Sequence, residues 1–232
     1  MKTIAAILAG GSGKRLGGNL PKQYLTLRGK LVIEHTVEAF QQNPSVDGII
    51  IVVHPDYVTF VRGLVEANDW IKVHQVVEGG KERSDSSLAA IAACQNQYGE
   101  ATDINLLIHD AARPLVSQRI ITDVISALDC HKAVNVAVPS RDTILECDAD
   151  YITHIPERSR FMLAQTPQGF RLSTIRQAFL LALQDPCFSV TDDCGVVSRY
   201  LPEERIYIVQ GDYSNMKITF PTDLPLIESL MQ

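Results

Sequence analysis

Apolar residues fall into short unbroken runs that alternate with stretches of helical periodicity. Runs at Thr3–Leu8, Gly48–His54, Ile71–Val77, Asn105–His109 and Ala133–Val138 are rich in Val and Ile and nearly continuous in apolarity. Strands covered on both faces show this pattern, because neither side alternates with water. Between them, Val32–Phe40, Tyr57–Asn68, Ser84–Gln97 and Arg119–His131 carry helical patterns. In the first, Val32, His35, Thr36, Ala39 and Phe40 share one face. The alternation predicts an α/β fold built on a mostly parallel sheet with right-handed crossovers.

The rhythm breaks after Pro139. Ser140–Arg160 is polar, and in it Thr143–Cys147 and Tyr151–Ile155 flank the turn-like Asp148-Ala149-Asp150. This predicts a hairpin that projects from the sheet as an arm rather than a second domain. Regular structure resumes at Phe161–Phe170. Helices near Leu172–Leu183 and Asp192–Tyr200 follow, then a strand at Arg205–Val209 and a short one at Lys217–Thr219. A closing helix runs from Thr222, with Pro221 suited to its start.

Composition narrows the classes. A chain of 232 residues with 46% hydrophobic content suits one α/β domain with a substantial core. The net charge of −6 argues against a broad nucleic-acid footprint or a polybasic membrane surface. It leaves room for a local phosphate pocket. The five cysteines are odd in number, widely spaced and without a CxxC pair. This speaks against a disulfide framework or a structural zinc site and for a reducing, cytoplasmic setting. Lys2 and the apolar run after it begin like a leader peptide, but the run is short and passes into glycines and basic residues, as a buried strand would. No stretch approaches the roughly 18 apolar residues of a membrane span.

The first strand runs into Ala9-Gly10-Gly11-Ser12-Gly13-Lys14-Arg15-Leu16-Gly17. Glycines after a parallel strand let backbone N–H groups approach phosphate oxygens. A Walker A loop is ruled out: Leu8 stands where its first glycine belongs and Arg15 where Ser or Thr belongs. A dinucleotide fingerprint is broken by Leu16 in its last place. A tight β-to-α turn with no ligand remains open for the loop alone. Its sequel, Pro21-Lys22-Gln23-Tyr24, adds a second cation to Arg15 on the same connection. Chemistry at an α-phosphate needs such charges, because negative charge builds on the equatorial oxygens in the transition state. Asp110 ends a predicted parallel strand, where α/β sheets bind ligands, and its oxygens suit Mg²⁺. It would otherwise serve as a helix cap or a partner for Arg113. His109 reads as structural.

The run ILAGGSGKRLG…LPKQYL resembles the nucleotide-binding signature of the cytidylyltransferases that act on 2-C-methyl-D-erythritol 4-phosphate and on ribitol 5-phosphate. Four further motifs match in order: Glu78–Ser86 (EGGKERSDS), His109–Pro114 (HDAARP), Gln165–Gln168 (QTPQ) and Lys217–Thr219 (KIT). The resemblance covers essentially the whole chain. It implies a Rossmann-like nucleotidyltransferase fold, a single domain over residues 1–232, and a homodimer formed through the arm at about 140–160. It implies CTP as the nucleotide, bound by Leu8, Ala9, Gly10, Gly11, Gly13, Asp110 and Ala111, with Gly80, Arg83 and Ser86 around cytosine and ribose. It implies Mg²⁺ on Asp110. Thr143 and Arg158 match positions that reach into the partner's site, and Thr191 and Lys217 match acceptor positions; Arg113 would bind the acceptor's phosphate or pair with an acid. Thr191 also fits the cap of the following helix.

The expected reaction passes CMP from CTP to a polyol phosphate, with Arg15, Lys22, Arg158 and Lys217 handling the phosphates. The local runs Leu8–Gly11, Ile155–Arg158 and Tyr213–Thr219 favour ribitol 5-phosphate as acceptor. Ala111–Pro114 and Thr191–Asp193 favour methylerythritol phosphate, which is the alternative. An NAD-dependent dehydrogenase is a rival, because Asp56 closely follows the second strand. A nucleotide-binding scaffold is another, though it predicts the loss of Arg15 and Lys22, and both are present.

Overall fold

The computed structural model describes residues 1–11, 20–99, 103–189 and 191–231. Lys2–Ala9 forms β1. Thr26–Leu27 (β2) and Lys30–Leu31 (β3) make a small antiparallel hairpin that the sequence pattern did not predict, with Arg28 and Gly29 at positive φ in its turn. It leads into Val32–Gln41 (α1). Gly48–Val53 (β4), Val58–Ala67 (α2), Val73–Glu78 (β5), Arg83–Tyr98 (α3), Ile104–Asp110 (β6), Gln118–Ala127 (α4) and Ala133–Pro139 (β7) follow. Each lies within a few residues of its predicted span. Glu146–Asp148 (β8) and Tyr151–His154 (β9) pair as the arm's hairpin, which is shorter than expected and leaves Thr143 outside it. Met162–Arg171 (β10), Leu172–Ala182 (α5), Asp193–Tyr200 (α6), Ile206–Gln210 (β11) and Asp223–Leu230 (α7) complete the chain.

Seven strands form one sheet in the order β11-β7-β10-β6-β1-β4-β5. β10 alone runs antiparallel to its neighbours. Side chains of β1 alternate between two cores. Ala5, Ile7 and Ala9 pack in one with Phe40 of α1, Val61 of α2 and Val124 of α4. Ile4, Ala6 and Leu8 pack in the other with Ile91 of α3, Ile175 of α5 and Val197 of α6. Helices therefore cover both faces, which is why the strands read as apolar throughout. Among the described residues, no helix is long and apolar enough to cross a membrane.

Two sequence expectations change. Lys217–Thr219 is not a strand; its backbone meets the end of the β6 region only through the Ile218 N–H, which donates to Ala112 O at 2.9 Å, and side-chain bonds hold the rest. Its alternation is real, because Ile218 is buried in a third core cluster while Lys217 and Thr219 face a cleft. Pro221 precedes the closing helix instead of starting it: Thr222 is the cap, and the Asp223 carboxylate accepts from the Thr219 and Phe220 amides.

Candidate active site

A cleft of about 490 Å³ opens at the carboxyl ends of β1 and β6. These strands are neighbours, with Leu8 opposite Asp110. The chain leaves β1 toward β4 on one side and returns to β6 on the other. Such a reversal leaves a crevice outside the sheet, where α/β proteins bind ligands.

The rim is set by close backbone approach. A Cβ on Gly10 would lie 2.9 Å from Ser86 Oγ, and one on Gly79 would lie 2.7 Å from the same atom. Glycine at both positions lets the start of α3 sit against the end of β1. Gly80 has no room either, because a Cβ there would collide with the Asp85 side chain. Asp85 completes the cap of α3, accepting from the Glu82 amide at 3.0 Å. Arg83 and Ser86 line the cleft from this helix start, whose dipole favours anions. The neighbouring Ser87 is buried and does not line it.

Leu8, Ala9, Gly10 and Gly11 form the floor with Ala111. Gln23, buried in the turn Lys22–Tyr24, donates its amide to Ala9 O at 2.7 Å and to Gly11 O at 3.0 Å. It fixes the backbone of the glycine turn from below. Lys22 lines the cleft and donates to Ile218 O at 2.7 Å, linking the N-terminal turn to the Lys217–Thr219 segment. Gly13 and Arg15 lie outside the described residues.

Charge gathers on Asp110. Its carboxylate meets Arg83 at 2.5 Å, Lys217 at 2.8 Å and Arg113 at 3.6 Å. Burial would raise this carboxyl, but the three cations outweigh it and hold Asp110 ionised, well below the usual carboxylate range. Arg83 reaches a second acid, Asp193, at 2.6 Å. Among the described residues Asp193 has one cationic partner against Asp110's three, and burial pushes its carboxyl up. His109 is fully buried and serves the scaffold. Its Nε2 donates to Arg113 O at 3.2 Å, and its Nδ1 accepts from Thr166 Oγ1 at 3.0 Å. Thr166 Oγ1 in turn accepts the Asp110 amide at 3.1 Å. Burial pulls the His109 pKa down to about 3, so the ring is neutral.

The cleft brings together Lys22, Gly80, Arg83, Ser86, Asp110, Thr191 and Lys217 from distant parts of the sequence. Thr191 is not the cap of α6. Asp192 is, accepting from the Gly195 amide at 2.8 Å. Arg113 sits behind the cleft wall, donating to Asn215 O at 2.8 Å. Thr143 and Arg158 are not brought to this cleft. Both are exposed in the arm, and Arg158 donates to Arg141 O at 2.9 Å. Asp56, the acid a dehydrogenase would need, lies in an exposed turn and does not line the cleft. Sequence reasoning assigned no role to Gln23, Gln168 or Asp193. Gln23 sits inside the conspicuous PKQYL run, but nothing in periodicity marks Gln168 or Asp193 as inward-facing.

A mainly parallel sheet with a glycine turn, cations and the buried acid Asp110 at its switch point defines an α/β nucleotidyltransferase. The family described as IspD, 2-C-methyl-D-erythritol 4-phosphate cytidylyltransferase, matches residues 3–232, and the chain belongs to it. A 2-C-methyl-D-erythritol 4-phosphate cytidylyltransferase of Thermobifida fusca is 44% identical over 236 residues, covering 100% of this chain and 94% of that one. The bifunctional ribulose 5-phosphate reductase/CDP-ribitol pyrophosphorylase Bcs1 of Haemophilus influenzae is 42% identical, covering 100% of this chain and 48% of that longer one. The solved 4-diphosphocytidyl-2C-methyl-D-erythritol synthase of Anaerococcus prevotii superposes with a TM-score of 0.85 at 29% identity, covering 100% of this chain and 98% of that one. The chain is thus a cytidylyltransferase acting on a phosphorylated polyol. On the acceptor, the family and the Thermobifida relative favour methylerythritol phosphate over the ribitol phosphate that the local runs suggested. Those runs are a few residues each and carry less information than similarity along the whole chain.

Proposed function

We propose that the chain transfers CMP from CTP to 2-C-methyl-D-erythritol 4-phosphate. The convergence of Lys22, Arg83, Asp110 and Lys217 on one cleft beside the glycine turn carries this reading. A phosphate oxygen of the acceptor attacks the α-phosphorus of CTP. The bond from that phosphorus to the bridging oxygen of the β-phosphate breaks, and pyrophosphate leaves with the electron pair. The acceptor phosphate is already anionic near neutral pH, so no general base is needed. The obstacle is repulsion between two anions. Lys22 and Arg15 neutralise the charge that builds at the α-phosphate, and Lys217 and Thr191 orient the acceptor.

Asp110 suits Mg²⁺ as a single hard oxygen donor at the cleft floor. Among the described residues no group of three or more His, Cys, Asp or Glu could hold a metal ion. The remaining ligands would then be triphosphate oxygens and water, the usual manner of binding for this ion. Bound there, it would screen the triphosphate charge.

The chain acts as a single cytidylyltransferase domain, in the cytoplasm, as a homodimer. The arm supports the dimer: Leu145, Ile152 and Ile155 are all about half exposed on it. Thr143 and Arg158, remote from their own cleft, then serve the cleft of the second copy, Arg158 as a cation on the acceptor phosphate.

Ribitol 5-phosphate is the second reading, supported by the Haemophilus relative's name and the Tyr213–Thr219 run. Pyrophosphate release, measured with CTP and each polyol phosphate in turn, separates them. A higher kcat/KM with methylerythritol phosphate is expected; preference for ribitol phosphate would install the second reading, and turnover with neither would remove both.

A further inference from the structure

We propose that Asp193 is a positioning residue for nucleotide binding, acting through Arg83. The inference rests on the reading that CTP occupies the cleft. Asp193 lies in the first turn of α6, and its side chain is only 2% exposed. It does not line the cleft and cannot touch a ligand there. Its carboxylate takes one corner of the Arg83 guanidinium, Nη2 at 2.6 Å, while Asp110 takes the other, Nη1 at 2.5 Å. A guanidinium is planar with its donors in a fixed fork. Held at two corners by acids from different elements, it cannot turn to grip Asp110 with both. Without Asp193 the fork is free to close on Asp110 as a bidentate pair, the geometry an isolated arginine and carboxylate prefer. That would withdraw Arg83 from the nucleotide and set it in competition with Lys217 and Arg113 for the second oxygen of Asp110.

The anchoring of Asp193 is itself specific. The Gln168 side-chain oxygen, buried on β10, accepts the amides of Asp193 at 3.1 Å and Cys194 at 3.3 Å. Its amide donates to Asp192 at 2.6 Å. The start of α6 is thereby locked to the sheet, which aims Asp193 at Arg83 and presents Thr191 to the cleft. A buried ion pair kept only for stability needs no such alignment, and an apolar pair of equal volume often serves as well.

The test is steady-state kinetics of the full chain, varying CTP at saturating polyol phosphate and then the reverse, for wild type, Asp193→Asn, Arg83→Gln and the double variant. Asp193→Asn is expected to raise KM for CTP about tenfold, with kcat and the acceptor KM within about threefold, the size of one lost charge-assisted contact. In the Arg83→Gln background it is expected to add nothing further. A purely structural role would predict equal penalties in both backgrounds, or a fall in kcat with KM for CTP unchanged; either overturns the proposal. If Asp193→Asn fails to fold, Arg83→Lys replaces it. A single ammonium cannot bridge both acids, so it should show the same rise in KM for CTP, and an unchanged KM would refute the bridge. Wild-type turnover separates the two levels. No turnover of CTP removes the functional reading, whereas turnover with an unaltered variant removes only the role of Asp193.

Discussion

Lys217 donates its ammonium to the carboxylate of Asp110 at 2.8 Å, closing the cleft floor with residues from the C-terminal segment and from the end of β6. The Lys217 side chain is 38% exposed, against 10% for Asp110. The lysine is therefore the partner that can leave to meet an incoming phosphate. Lys217→Ala is expected to lower kcat/KM for the polyol phosphate about a hundredfold, as loss of a positioning cation does. Arg83 and Arg113 still neutralise Asp110, so the melting temperature should change little. Pyrophosphate-release kinetics and thermal unfolding check the two halves.

His109 makes the fold sensitive to acid. Its pKa falls from 6.5 to about 3 on folding, chiefly through burial. Between those values the unfolded chain takes up a proton that the folded chain refuses. Stability is therefore fully present above pH 6.5 and declines as the pH drops toward 3, by about 1.4 kcal/mol per pH unit. Denaturant unfolding across this range should show a shallower decline for His109→Gln, which cannot take up that proton. Equal slopes would mean that the ring is accessible.

Gly10 and Ser86 compete for the same space. Gly10→Ala would bring a methyl to 2.9 Å from Ser86 Oγ and turn that hydroxyl out of its place beside the glycine turn. A loss of at least tenfold in CTP affinity is expected, with a stability cost of about 1–3 kcal/mol. Adding Ser86→Ala removes the clashing oxygen. The double variant should recover most of the stability, a non-additivity that unfolding of all four proteins measures.

The arm supplies a test of assembly. Ile152 is 56% exposed in β9, and Ile152→Asp would place a charge in any apolar contact between two arms. Sedimentation is expected to show a dimer for the unaltered chain and a monomer for the variant. Acceptor turnover should fall in parallel, since Arg158 is remote from its own cleft. A dimer that persists in the variant would place the interface elsewhere.

Much of the fold was legible because it rests on local rules. β4 is a continuous apolar run, β6 and β7 are nearly so, and α1 begins at Val32, where its pattern begins. What failed did so where tertiary packing imitates a local pattern. Lys217–Thr219 alternates because Ile218 enters a core and its neighbours face a cleft, not because they pair in a sheet. Thr191 has the chemistry of a helix cap, yet Asp192 takes that place.

The sequence by itself determined the strand–helix order, the glycine turn, the presence of Lys22, Asp110 and Lys217, and a motif series specific enough to mark a cytidylyltransferase. Periodicity, spacing and residue chemistry are properties of the chain before it folds. Only the tertiary structure decided that Arg83 bridges Asp110 and Asp193, that Gln23 holds the glycine turn from beneath, and that Arg113 supports the wall while Lys217 faces the cleft. Those relationships join residues far apart in sequence, and their energy comes from burial and from charges meeting at fixed angles in a cleft that exists only once the strands have assembled.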